Sequence, residues 1–225
     1  MVCRFIFVVW VLHFYFTPSA QAKELHYIAM GDSYTAGTGV EVNETWSAQL
    51  ARKLTDAGIE VSLAQSIAKN GWTAKDLIAE GLPALKNQRA DFVTLLVGVN
   101  DWVQGASSED HALRLKILLD SLQEKIAPAG KLLLVTSPNF SCSPEGRKWG
   151  YGKSAKNGIT RLNNILKTEA ASRNLPAVDI FPLSEEVCGQ PAMYAADGVH
   201  PSREQYTRWV ELIFPVAFDL LSGRN

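Results

Sequence analysis

The chain has 225 residues, with 22 Lys and Arg against 23 Asp and Glu, four His and a formal net charge of −1. A balance this close to neutral argues against nucleic acid as the main partner. The length suits one domain with a sizeable core, expected over residues 23–225.

In chain order, residues 1–22 come first. One early cation, Arg4, precedes an apolar run from Phe5 to Phe16, and small residues stand at Ala20 and Ala22. That is the pattern of an export signal cleaved after Ala22, which predicts a periplasmic or secreted protein with no stable membrane span after cleavage. A retained anchor is the alternative, but the run is shorter than the ~20 residues a bilayer-crossing helix needs.

Five apolar runs then read as strands: Leu25 to Met30, Val61 to Ile67, Phe92 to Gly98, Lys131 to Ser137 and Pro176 to Phe181. Most are short, continuous and rich in Val, Ile or Leu, as strands covered on both faces are. Helical patterns alternate with them, at Trp46 to Ala57, Thr73 to Leu85, Ser108 to Ile126, Asn157 to Arg173 and Arg203 to Leu221. In the third helix, Leu113, Ile117, Leu118, Leu122 and Ile126 form the expected apolar stripe, with His111 on the polar part. Alternation of this kind predicts an α/β protein, a three-layer sandwich with helices on both faces of a five-stranded parallel sheet. The order 2-1-3-4-5 fits, although periodicity alone does not select it. The longest irregular stretch, Pro138 to Ser154, has the length of a lid or binding loop.

Ligands of open parallel sheets bind beyond the C-terminal ends of the strands, so the residues that follow each strand define the candidate site. They are Gly31-Asp32-Ser33, then Asn70-Gly71-Trp72-Thr73, then Gly98-Val99-Asn100-Asp101, and lastly Asp197-Gly198-Val199-His200-Pro201. Ser33 is either a turn residue or a nucleophile, and a serine nucleophile needs a base of near-neutral pKa. Among the four histidines, His13 lies in the expected signal, His26 at the wrong end of the first strand and His111 in a helix. His200 stands at the right edge, and Asp197 three residues before it is placed to reach Nδ1. Taken alone, His200 is equally an ordinary loop histidine. The Ser33 and Gly71 N–H groups and the Asn100 amide can supply three donors to an oxyanion.

Cys3 leaves with the signal, so Cys142 and Cys188 remain as a pair in an oxidising compartment. A disulfide between them is expected there, with two free thiols as the alternative. Neither a CxxC nor a Cys/His cluster at zinc spacing is present, which gives a metal site little support. Gly37-Thr38-Gly39 lacks the spacing of a dinucleotide-binding turn.

Together, "GDSYTAG" (Gly31 to Gly37), Gly71 in "NGWTA", "GVND" (Gly98 to Asp101) and "DGVHP" (Asp197 to Pro201) resemble, in order, the blocks of the SGNH or GDSL-type hydrolases. The resemblance spans nearly the whole chain after the signal. It implies a flavodoxin-like sandwich, Ser33 as nucleophile and first oxyanion donor, Gly71 and Asn100 as the other donors, His200 as base and Asp197 as its partner, with no cofactor. The implied substrates are small-molecule, lipid or acylated-sugar esters. Tyr34 stands where the family often has Leu.

Aromatic residues near these blocks, namely Tyr34, Trp72, Trp102, Trp149 and Tyr151, are candidates to line an acyl pocket or a sugar platform, or simply to pack loops on the core. The expected activity is hydrolysis of short or medium acyl esters or lysophospholipids. The alternatives are deacetylation of polysaccharide and a carbohydrate- or lipid-binding protein without activity.

Overall fold

The computed structural model describes residues 24–85, 88–126 and 130–223. The expected export signal and its cleavage point lie outside the described residues. Strands β1 (Leu25–Gly31), β2 (Val61–Ala68), β3 (Phe92–Leu96), β4 (Lys131–Val135) and β5 (Ala177–Val178) form one sheet in the order β2-β1-β3-β4-β5, every neighbouring pair parallel.

Two cores follow from the period-two alternation of the strands. On one face Tyr27, Ala29, Phe92, Leu96, Leu133 and Val135 meet α2 (Trp46–Asp56) and α9 (Arg203–Ser222) through Trp46, Leu50, Leu54, Trp209 and Ile213. On the other, Ile28, Met30, Val93, Leu95, Leu132 and Leu134 meet Leu77, Leu115, Leu118 and Leu119. These belong to a helical stretch over residues 74–85 and to α6 (Ser108–Lys125). The 74–85 stretch runs as α3 (Ala74–Asp76), one π turn (Leu77–Gly81) and α4 (Leu82–Leu85). Pro83 supplies no N–H to a regular ladder there, which accounts for a local departure from α geometry.

Three elements differ from the sequence expectation. β5 is only two residues long, because at its end the Thr136 hydroxyl donates to Asp179 and accepts the Ile180 N–H, so side-chain bonds replace the ladder. α7 runs Gly152–Ser172, starting within the stretch expected to be loop. The rest of that stretch is wound into 3₁₀ turns at Phe140–Cys142 and Gly146–Trp149, with Asn139 and Ser143 side chains accepting from the Ser141 and Gly146 backbones.

The apolar stripe of α6 is also rotated from its expected place. His111, Leu115, Leu118, Leu119 and Leu122 are buried, whereas Leu113 is 60% and Ile117 42% exposed. His111 is the reason: it occupies the first position of the inward face, at the spacing i, i+4, i+7, i+8, i+11. Leu115→Ala should therefore cost about 2–5 kcal/mol of unfolding free energy, as core truncations do, while Leu113→Ala should stay within about 0.5 kcal/mol. Urea unfolding of both variants checks this, and equal losses would contradict the observed face.

Candidate active site

With every strand pointing the same way, the segments after β1, β2, β3 and β4 reach one edge, where the segment 194–201 joins them. Asp32 caps α1 (Ser33–Ala36): its Oδ1 accepts the Tyr34 N–H at 3.0 Å, which puts Ser33 in the first helical position. The Tyr34 carbonyl is held in turn by the Tyr206 hydroxyl at 2.9 Å.

Gly71 takes φ +81, a left-handed conformation that suits glycine, and an added Cβ would meet nothing within 4 Å. Backbone conformation, not crowding by protein atoms, accounts for the glycine. Its carbonyl accepts from Gln104 Nε2 at 2.8 Å, and the Trp72 carbonyl accepts from Asn100 Nδ2 at 3.0 Å. One of the two amide hydrogens of Asn100 is thereby used to aim the group, leaving the other to donate. Asn100 lies in α5 (Val99–Val103) and Gln104 caps its end, so both face the same way one turn apart.

The His200 loop is a short reversal. Gly198 N–H donates to the Ala195 carbonyl at 2.9 Å, Ala195 N–H to the His200 carbonyl at 2.8 Å, and Tyr194 bridges Pro201. Asp197 Oδ1 accepts the Val199 and His200 N–H groups, each at 2.9 Å, and its Oδ2 lies 2.6 Å from His200 Nδ1. Burial raises the Asp197 pKa, but the Val199 N–H, the imidazole and the His200 N–H outweigh it and hold the carboxyl below its ordinary range.

Ser33, Gly71, Asn100 and His200 line a single cleft of about 200 Å³, together with Tyr34, Asn70, Val99, Val103, Phe140, Trp149 and Val199. The Tyr34 and His200 rings stand 5.3 Å apart. The other aromatic candidates lie elsewhere. Trp72 is buried in the second core with Lys69 over its ring, and Trp102 packs on Phe140 and against Gly158 of α7. Tyr151 does not line the cleft; its ring is edge-on to Trp102 and Phe140 and partly exposed. Sequence reading missed Phe140, which is only 2% exposed, and Gln104, whose signal was its place four residues after Asn100.

The expected disulfide is not formed. Cys142 and Cys188 are both free thiols. Cys142 Sγ faces the Ser184 carbonyl at 3.4 Å and Cys188 Sγ faces the Cys142 carbonyl, with Arg147 Nη2 3.4 Å from Cys188 Sγ. Burial, and then the neighbouring Cys188 thiol, push Cys142 up to about 12. Hydrogen bonds tie this segment down: Glu145 N–H donates to the Gly198 carbonyl and Arg147 Nε to the Cys142 carbonyl, each at 3.0 Å. Among the described residues no cluster of His, Cys, Asp or Glu could hold a metal, and no helix is long and apolar enough to cross a membrane.

Comparison with known proteins shows the family to which the chain belongs. The profile of the GDSL-like Lipase/Acylhydrolase family matches residues 29–208. The chain is 26% identical to Esterase TesA of Pseudomonas aeruginosa over 210 residues, covering 91% of this chain and 92% of that one. It is 24% identical to an arylesterase of Vibrio mimicus over 198 residues, covering 86% and 88%. Among solved structures, the acetylxylan esterase Axe2 of Geobacillus stearothermophilus superposes with a TM-score of 0.65 at 18% identity, covering 85% of this chain and 93% of that one.

Asp32 provides a test of the site's electrostatics. It is fully buried, and burial raises its pKa to about 7; the Tyr34 N–H opposes the rise and the Asp101 carboxylate adds to it. The folded pKa lies above the unfolded value of 3.8. The stabilising contribution of its proton is therefore complete below the unfolded value and is lost as pH rises through the folded one. Asp32→Asn should flatten the decline of Tm with rising pH between about 4 and 7. Thermal melts across that range giving parallel slopes for both proteins would contradict it.

Proposed function

The chain belongs to the GDSL-like lipase/acylhydrolase family, and from that membership we propose that it hydrolyses carboxylic esters through an acyl-enzyme on Ser33. The observation that carries this reading is that Ser33, His200, Gly71 and Asn100 line one cleft while Asp197 bonds the far nitrogen of His200.

His200 Nε2 takes the Ser33 proton as Oγ attacks the acyl carbon. The developing oxyanion is met by the Ser33 and Gly71 N–H groups and the Asn100 amide, already aimed before substrate arrives. Asp197 keeps the imidazole in the required tautomer and stabilises its charged form. As the tetrahedral intermediate collapses, the C–O bond to the alcohol breaks and His200 returns the proton to it. Water, deprotonated by His200, then attacks the acyl-enzyme, and the acid leaves as Ser33 recovers its proton.

The size and lining of the cleft favour a short or medium acyl group. Its volume of about 200 Å³ is below the roughly 300–1,000 Å³ of pockets that enclose drug-sized ligands. Val99, Val103, Phe140 and Val199 offer apolar contact. A lysophospholipid chain would extend past this enclosure along Trp149, which is 47% exposed. Deacetylation of a polysaccharide is the second reading, favoured by the same small volume and by the exposed Trp149 ring at the cleft, on which a sugar can stack. Residues 1–22 are proposed as an export signal, which delivers residues 23–225 to the periplasm or medium.

Ser33→Ala and His200→Ala should each lower ester turnover by several orders of magnitude, and Asn100→Ala should lower kcat by about 10²-fold or more. These are measured on a p-nitrophenyl ester series from acetyl to long-chain, beside acetylated xylan and lysophosphatidylcholine. Near-normal turnover in either of the first two variants would refute the assignment.

A further inference from the structure

Behind the cleft lies a second Asp–His pair that the proposed chemistry leaves unused. Asp101 and His111 are fully buried, with Asp101 Oδ1 3.2 Å from His111 Nδ1, within ion-pair distance but outside hydrogen-bond geometry, so that Asp101 Oδ1 and both ring nitrogens have no hydrogen-bond partner. Taking an acid and an imidazole out of water is unfavourable, and apolar residues of similar volume commonly serve stability as well or better. Stability alone therefore does not account for the pair.

Its connections lead to the oxyanion donors. Asp101 Oδ2 accepts the Ala74 N–H at 3.0 Å, so the carboxyl joins α5 to the start of α3. Asn100, the preceding residue, bonds the Trp72 carbonyl, and Gln104 bonds the Gly71 carbonyl. Residues 71–74 thus hang on three side chains of one short helix and its cap. Of these three, Asp101 alone is completely enclosed, and His111 reaches it from a different element, α6.

The imidazole also packs on the turn that launches α5. Gly98 takes φ +142, and an added Cβ would stand 3.2 Å from Ser137 Oγ and 3.6 Å from His111 Cε1. The ring therefore stands beside Gly98, two residues before Asn100, as well as beside the carboxyl just after it.

We infer that Asp101 and His111 are positioning residues for the oxyanion hole: His111 Nδ1 orients the Asp101 carboxyl, and the carboxyl sets residues 71–74, hence the Gly71 N–H, against the Asn100 amide. This rests on the proposed role of those two donors. Neither member of the pair lines the cleft, so its effect reaches the reaction only through the spacing of the donors. A displacement of about 1 Å in such groups can lower a rate by about 10²-fold.

The test uses three variants of the full chain. His111→Asn keeps an amide donor near the place of Nδ1, His111→Gln carries its amide toward the place of Nε2, and His111→Leu has no donor. Kinetics on p-nitrophenyl acetate should show kcat lowered about 10- to 100-fold in the Gln and Leu variants, with KM changed less than about twofold and most of kcat restored in the Asn variant. Labelling of Ser33 by a fluorophosphonate should slow in the same order. If the Leu variant does not fold, the comparison of Asn with Gln decides alone. Equal kcat in those two, or wild-type kcat in the Gln variant, overturns the inference. A Ser33→Ala control separates the two readings: turnover surviving Ser33→Ala sinks the esterase mechanism, whereas Ser33-dependent turnover indifferent to His111→Gln sinks only the positioning role.

Discussion

Because all five strands run parallel, each crossover carries the chain back to one edge of the sheet and each strand delivers its following loop to the other. A sheet of this kind needs both faces covered, and the two apolar cores supply that cover. The same arrangement brings residues as distant in sequence as Ser33, Gly71 and Asn100 to one rim, where the 194–201 reversal adds His200. Remove the common strand direction and these polar residues would belong to opposite ends of the molecule.

At that rim, precision comes from short polar tethers between neighbouring loops. Gln104 to the Gly71 carbonyl, Asn100 to the Trp72 carbonyl and Asp101 to the Ala74 N–H bind the loop after β2 to the helix after β3. Glu145 to the Gly198 carbonyl binds the segment after β4 to the His200 loop. These bonds need only local geometry to be correct, and together they leave little freedom in how Gly71, Asn100 and the His200 imidazole face each other. The environments of the acids differ accordingly. Asp197 is partly exposed and held low by three hydrogen bonds, whereas Asp32 is enclosed and pushed up to about 7. The first suits an ionised partner for an imidazole; the second is an enclosed cap at the start of a helix.

Much of this was legible beforehand because strands and their polar terminations are local patterns. The apolar runs at Leu25, Phe92 and Lys131 became β1, β3 and β4, and the order 2-1-3-4-5 is the one observed. The errors came where a side chain's partner belongs to another element. His111 read as a polar-face residue because its companion Asp101 belongs to another helix, and that displaced the whole inward stripe of α6. Trp72 and Trp102, close in sequence to Gly71 and Asn100, turn into the body of the protein and its flanking helix, because a side chain one or two residues along points elsewhere. Cys142 and Cys188 are brought together as expected, yet both sulfurs face backbone carbonyls.

The linear order of residues determined the alternating elements, the parallel sheet and the four polar blocks, since each depends on hydrophobic period and turn chemistry within a few residues. Only the folded chain decided which aromatic residues border the cleft, how large that cleft is and that a second Asp–His pair stands behind it. Those features depend on which surfaces meet when helices close over a sheet, and contact between elements far apart in the chain leaves no local trace.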